Sequence, residues 1–309
     1  MADADNFQVV TTGLRFPEGP VYLTDGSLLV VEIAGRALTR IDPATGRQTV
    51  IADLQGGPNG AAMGPDGWCY VCNSGGWRYV VENGIQRPIA QADQSGWIER
   101  VHLATGRVER LYDRAGDRPL HSPNDLVFDD KGGFWFTDHG KRTDDRLDIG
   151  GVFYAAADGS FIRHAIGRLI TPNGIGLSPD GQTLYVAETV TRRLWAFDIT
   201  GPGTVASHPF PSPNGGRLVA GLPDLNNLDS LAVDAAGNIS VATLMQGGIW
   251  TVSPDGGSRD FLALPDPYVT NLCFGGPDLS TAYATLSGSG RLIALPWPRP
   301  GLPLHPHQR

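Results

Sequence analysis

The sequence predicts an all-β fold, a six-bladed β-propeller with a central metal site. Three observations predict it. A repeat recurs six times, each copy reads as strand, tight turn and strand, and each copy carries an oxygen-bearing side chain at the same point.

The copies read FPEGPVYLTDGSLLVVE from Phe16, GPNGAAMGPDGWCYVCN from Gly57 and SPNDLVFDDKGGFWFTD from Ser122. They continue as TPNGIGLSPDGQTLYVAE from Thr171, NLDSLAVDAAGNISVAT from Asn227 and VTNLCFGGPDLSTAYAT from Val269. DG, KG and AG dipeptides supply the positive-φ positions that hairpin turns require. The flanks alternate apolar and small residues with the two-residue period of a strand. A third strand is expected at 38–41, 97–102, 151–154, 194–198, 248–252 and 291–296. The spacing leaves room for a fourth. The equivalent polar residues are Glu18, Asn59, Asn124, Asn173, Asp229 and Asn271, at intervals of 41, 65, 49, 56 and 42 residues. Four-stranded propeller blades take about 40–50 residues. Residues 1–309 are expected to form one propeller domain, with 1–6 and 301–309 as tails. Residues 7–14 precede the first copy and can supply the outer strand of the last blade, which removes the open sheet edges. The longer insertions, 83–97, 138–150 and 201–226, contain Gly, Pro or Asp and read as loops.

Composition agrees with strands and tight turns. There are 41 glycines and 24 prolines, and only 18% of residues are charged, against a usual ~25%. The formal net charge of −8 leaves no basic patch for nucleic acid. Cys69, Cys72 and Cys273 make no disulfide framework. The Cys69–Cys72 spacing resembles a metal or redox pair, but residues three apart on a strand face opposite ways, so these read as core cysteines. The first residues are polar and acidic, without a signal-peptide pattern, and no apolar run is long enough to span a membrane. A cytoplasmic location is therefore expected, with no nucleic-acid or membrane partner.

The innermost strand of each blade begins at one end of the central channel, so the six polar residues are expected to ring one point. Two carboxylates and four amides are an all-oxygen donor set, which suits hard divalent cations such as Ca²⁺ and Mg²⁺. The competing reading is structural, because Asn and Asp are ordinary turn residues whose side chains cap local backbone. Glu18 resists that reading, since Glu is not a favoured turn residue.

The segments FPEGP, SPNDL, TPNGIGLSPDG, LDSLAVD and NLCFGGPDLSTAYAT, in that order, resemble the senescence-marker-protein/gluconolactonase/luciferin-regenerating-enzyme family over essentially the whole chain. The resemblance implies a six-bladed propeller with one catalytic divalent metal at the top of the channel. By it, Glu18, Asn173 and Asp229 match metal-binding positions, and Asp229 also matches the general base. Asn124 matches an Asn that is a metal ligand in some members and a substrate contact in others. The sequence departs from animal gluconolactonases at Ser122, where they carry a sugar-contacting Arg.

The implied activity is hydrolysis of a small lactone, sugar-like or other. Ca²⁺ is the first choice of metal, with Zn²⁺, Mg²⁺ and Mn²⁺ as alternatives. Asp229 is the expected catalytic base; Glu18, Asn173 and Asp229 hold the metal; Asn59, Asn124 and His139 contact substrate. A phosphotriester or other ester hydrolase on the same metal site, and a non-enzymatic ligand-binding propeller, are the alternatives. His139 is drawn in because it titrates near neutrality and lies in a loop at the site end of blade three, near Arg142 and Arg146. His121 is expected to point away. His102, His164 and His208 fall in outer strands or loops, and His305 and His307 in a Pro-rich tail. Trp77 is either an apolar wall or a core cap. No G-x-S-x-G elbow occurs, which speaks against a serine hydrolase.

Overall fold

The computed structural model describes residues 6–304. His305, His307 and the outermost parts of both expected tails lie outside them. Six antiparallel sheets follow one another along the chain. Their innermost strands are Pro17–Tyr22, Pro58–Met63, Pro123–Phe128, Pro172–Leu177, Asn226–Val233 and Val269–Gly275. Each innermost strand packs against its neighbours on either side, and the sixth packs against the first, so the sheets close a ring around a channel. This is the predicted six-bladed propeller.

Each blade continues outward by hairpins. In blade one the order is Pro17–Tyr22, Leu28–Glu32, Ala37–Ile41 and Gln48–Asp53. The last blade is completed from the other end of the chain. Gln8–Thr11 pairs with Arg291–Pro296 as its outermost strand, with Val9 opposite Ile293. The expected closure is therefore present.

The blades adhere through side chains that alternate across each sheet, as the strand period requires. In Gly133–Asp138, Phe134 and Phe136 pack toward blade two with Tyr70 and Phe128, while Trp135 packs toward blade four with Ile175 and Trp195. Cys69 and Cys72 obey the same rule. Cys69 sits in the layer between blades one and two, Cys72 in the layer between blades two and three, and all three cysteines are unpaired and buried.

Two of the expected loops hold strands. Residues 83–97 contain Ile85–Gln91, which forms a hairpin with Trp77–Glu82. Its turn is Asn83-Gly84, with φ of 52° and 77°. Asn-Gly is a strong two-residue hairpin signal, so the strand was marked in the sequence by its turn. Residues 201–226 contain Arg217–Gly221, the outer strand of blade four, reached after a long excursion. The third, 138–150, is largely irregular up to Ile149, with one bridge between Arg142 and Leu147. Beyond blade six the chain returns to the axis: Gly301 N donates to Leu279 O and Leu302 N to Val233 O. Leu302, Pro303 and Leu304 help to line the far end of the channel, a cavity of about 560 Å³ walled mainly by apolar residues of the innermost strands. Among the described residues no helix is long and apolar enough to cross a membrane.

Candidate metal centre and active site

All six innermost strands carry the same irregularity, one extra residue just past their start. The register slips between Glu18 and Val21, Pro58 and Ala61, Pro123 and Leu126, Pro172 and Ile175, Leu228 and Leu231, and Val269 and Asn271. A bulge bends the strand and re-aims a side chain. Here it falls on or beside the polar residue of each repeat, and it sets those six side chains at one end of the channel. Glycine permits the crowding that results. A Cβ on Gly60 would stand 2.6 Å from the Asn124 carbonyl oxygen, and one on Gly174 would stand 2.6 Å from the Asp229 carbonyl oxygen. The Gly after Asn in the two PNG segments is thus a packing requirement between neighbouring blades.

All six residues are buried. Asn271 donates its amide to Glu18 Oε2 at 2.7 Å, and Gly19 N donates to the same oxygen at 2.6 Å. Burial first, then the negative charges of Asp229 and Asp125, push the Glu18 carboxyl well above its usual range. Burial likewise raises Asp229 to about 8; the facing Asn173 amide opposes the rise and Asp125 adds to it. The structure thus brings Glu18, Asn173, Asp229 and Asn271 within reach of one another. Asn59 and Asn124 stand at the equivalent level of blades two and three.

Asp125 is a participant the sequence reading passed over. Burial raises its carboxyl to about 7, and its charge acts on both Glu18 and Asp229. Its signal was SPNDL, where an acidic residue fills the place that glycine holds in the PNG segments.

Three nearby carboxylates and one amide are already committed. Glu32, Asn73, Asp138 and Glu188 end the second strands of blades one to four, each opposite the proline that opens its inner strand. Each accepts from backbone amides of the segment leading into that proline: Arg15 N on Glu32, Gly57 N on Asn73, His121 N and Ser122 N on Asp138, and Ile170 N on Glu188. These residues hold the ring in place.

His139 follows Asp138 and stands opposite Ser122, whose carbonyl oxygen accepts its backbone N–H at 3.0 Å. It is buried, its Nδ1 is 3.3 Å from Gly140 O, and burial lowers it to about 4, which keeps the ring neutral at pH 7. His121 turns aside to Asp148 at 2.9 Å, with Arg146 on the same carboxylate. Lys141, not singled out from sequence, donates Nζ to Ser74 O at 2.9 Å, and burial lowers it to about 8. Trp77 belongs to the inserted hairpin, with Tyr79, whose phenol is pushed up by burial and by the charges of Glu18 and Asp229.

The donor set fits a hard cation. Asn124 Oδ1 and Asn173 Oδ1 are buried acceptors without a hydrogen-bond partner, and Asn173 is oriented by its amide on Thr189 Oγ1 at 3.1 Å. An unpartnered buried acceptor is unfavourable by about 1–3 kcal/mol. Two such oxygens beside two carboxylates are what an oxygen-seeking divalent ion satisfies. Among the described residues no three His, Cys, Asp or Glu side chains cluster in a metal-holding arrangement, so a cation here depends on the amides as well.

The model of the SMP-30/Gluconolactonase/LRE-like region matches residues 16–288. The chain belongs to this family. A gluconolactonase of Zymomonas mobilis is 27% identical over 295 residues, 87% of this chain and 75% of that protein. The diisopropyl-fluorophosphatase of Loligo vulgaris is 26% identical over 317 residues, covering 96% of this chain and 93% of the relative. Among solved structures, a calcium-binding regucalcin from Agrobacterium tumefaciens superposes with a TM-score of 0.73 at 19% identity, covering 97% of this chain and 96% of that one. That likeness confirms the propeller.

Proposed function

We propose that this family member is a divalent-metal-dependent hydrolase that opens a small lactone, with Ca²⁺ as the resident ion. The observation that carries the reading is the pair of unpartnered, buried amide oxygens of Asn124 and Asn173 beside the carboxylates of Glu18 and Asp229. Glu18, Asn173 and Asp229 would hold the ion, with Asn124 completing the shell or meeting the substrate. Bound there, a divalent ion supplies Lewis-acid polarisation of the lactone carbonyl and stabilises negative charge on its oxygen.

The remaining work falls to side chains. Asp229 accepts a proton from the water whose oxygen attacks the carbonyl carbon. The acyl–oxygen bond of the ring then breaks, and Asp229 returns the proton to the departing ring oxygen, giving the hydroxy acid. Asn59 and neutral His139 orient the substrate from blades two and three. Buried, unpaired thiols suit a reducing, cytoplasmic setting.

The test is hydrolysis of a lactone panel by pH indicator, before and after EDTA and with each divalent ion restored. Activity should vanish on chelation and return with Ca²⁺. Asp229→Asn should lower turnover by about 10²–10⁴-fold; a fully active variant removes the base role. The near full-length match to a diisopropyl-fluorophosphatase supports a second reading, phosphotriester hydrolysis. It takes precedence if a phosphotriester is turned over and no lactone is.

A further inference from the structure

The hairpin Trp77–Glu82/Ile85–Gln91 lies between the second and third strands of blade two, yet it does not extend that blade's sheet. Trp77, Tyr79 and Ile85 pack instead, together with Leu244, against the buried cluster of Phe16, Ile33 and Tyr268. Phe16 lies two residues before Glu18, Tyr268 three before Asn271, and Leu244 near the end of the second strand of blade five. Phe16, Tyr268 and Leu244 stand at the metal-centre end of the ring. The ring centroids of Phe16 and Tyr79 are 4.8 Å apart, and those of Phe16 and Tyr268 are 5.8 Å apart.

Both ends of the hairpin are tied to other blades. Near its tip, Gln86 N donates to Gly288 O at 2.7 Å and Gln86 Nε2 donates to Leu14 O at 3.1 Å, which reaches blade six past blade one. At its root, Gln91 Nε2 donates to Ser122 Oγ at 3.2 Å, and Gln91 Oε1 accepts from Arg142 N at 2.6 Å, both in blade three. The strap therefore crosses the channel mouth. The charged pair Arg87–Glu82 stays on its solvent side. Beneath it the Tyr79 phenol lies close enough to feel the charges of both Glu18 and Asp229, and it is a neutral O–H donor.

We infer that this strap roofs the catalytic site as an apolar wall, that Tyr79 is its specificity-determining residue, and that the preferred substrate is a lactone bearing an alkyl or aryl substituent. The inference rests on the lactone-hydrolase reading. The side chains meeting under the strap are aromatic and aliphatic, with the phenols of Tyr79 and Tyr268 as polar tips. A polyhydroxylated ring placed there would bury hydroxyls against carbon, and each unmatched hydroxyl weakens binding. An alkyl or aryl group gains affinity from the same contact.

The experiment compares kcat and KM of the metal-loaded enzyme on δ-valerolactone, δ-nonalactone and glucono-δ-lactone, for the wild type, Tyr79→Ala and Tyr79→Phe. The wild type should favour the nonalactone over both others by about 10-fold or more in kcat/KM. Tyr79→Ala should collapse that preference to near unity, mainly through KM, and Tyr79→Phe should retain it. Preference for gluconolactone, or an equal loss on all three substrates in Tyr79→Ala, overturns the inference and leaves lactone hydrolysis standing. If no lactone is opened, the hydrolase reading has failed instead. The wall is then tested by binding alone, using a 6-alkyl δ-lactam as probe. A rise in melting temperature in the wild type that Tyr79→Ala lacks supports the wall; no rise in the wild type overturns it.

Discussion

Replacing Leu14 by alanine measures how much the ring depends on its closure. Leu14 leads from the outermost strand of blade six toward blade one and is 2% exposed. It packs with Leu28, Val30 and Ile41 of blade one and with Tyr283 and Leu292 of blade six. The substitution removes three carbons, about 2.4 kcal/mol at ~0.8 kcal/mol per methylene, and adds a cavity term, for about 3 kcal/mol in all. In a protein of this size about 2 °C of Tm accompanies each kcal/mol, so the melt should fall by about 6 °C. Val9→Ala, on the closing strand but 46% exposed, is the control and should shift Tm by less than about 1 °C. Deleting residues 1–15 should be far more damaging, since it also strips Arg291–Pro296 of its partner strand. Melting is followed by circular dichroism. Equal effects from Leu14→Ala and Val9→Ala, or an unchanged melt after the deletion, would show that the closing strand carries no stability.

Chelation should lower Tm even before activity is assayed, because an ion that binds only the folded ring at 100 times its Kd adds about 2.7 kcal/mol; an EDTA-insensitive melt that Ca²⁺ does not raise argues against the metal centre. Gly60→Ala places a Cβ 2.6 Å from the Asn124 carbonyl oxygen. It should destabilise by ~2 kcal/mol or more and impair the site, whereas Gly67→Ala at an open turn meets no neighbour and should cost about 1 kcal/mol through its positive φ alone, as paired urea melts would show. Asp148 is held down to about 2 chiefly by Arg146, with help from His121. A depressed carboxyl stabilises the fold above its unfolded pKa of about 3.9 and loses that contribution as pH falls toward 2. Asp148→Asn should therefore melt lower than wild type at pH 7, with the gap closing between about pH 4 and pH 2. A gap that persists undiminished at pH 2 contradicts the assignment.

The ring and its closure were legible because a repeat states the same physics six times: an alternating flank, a glycine turn and one polar residue. Cys69 and Cys72 were legible for the same reason, since strand alternation decides which layer each enters. The convergence of Glu18, Asn173 and Asp229 followed from topology alone. The bulge that aims them did not, because an extra residue in a strand leaves no mark in a two-residue pattern. Asp125 was hidden by its neighbour, as an acidic residue next to an Asn reads like turn chemistry. The Trp77–Gln91 hairpin carried its Asn-Gly turn openly, but the surrounding residues belong to no repeat copy. Where it folds back is set by Phe16 and Tyr268, far away in sequence. Lys141 was unreadable for a similar reason: its burial depends on Ser74, in another blade.

The pairing of Val9 with Ile293 also sets a schedule for biosynthesis. About 280 residues separate the partners, so at about 5–20 residues per second the first strand leaves the ribosome some 15–60 seconds before its mate exists. Five blades can form from contiguous chain during that interval, while the first strand waits with its hydrogen-bonding groups in water. Glu18 and Asn271 come together only when the last blade docks. The hydrogen bond that fixes Glu18 in the proposed cation site is thus a product of the final folding event, and a nascent chain stalled before residue 271 carries Glu18, Asn124, Asn173 and Asp229 without it.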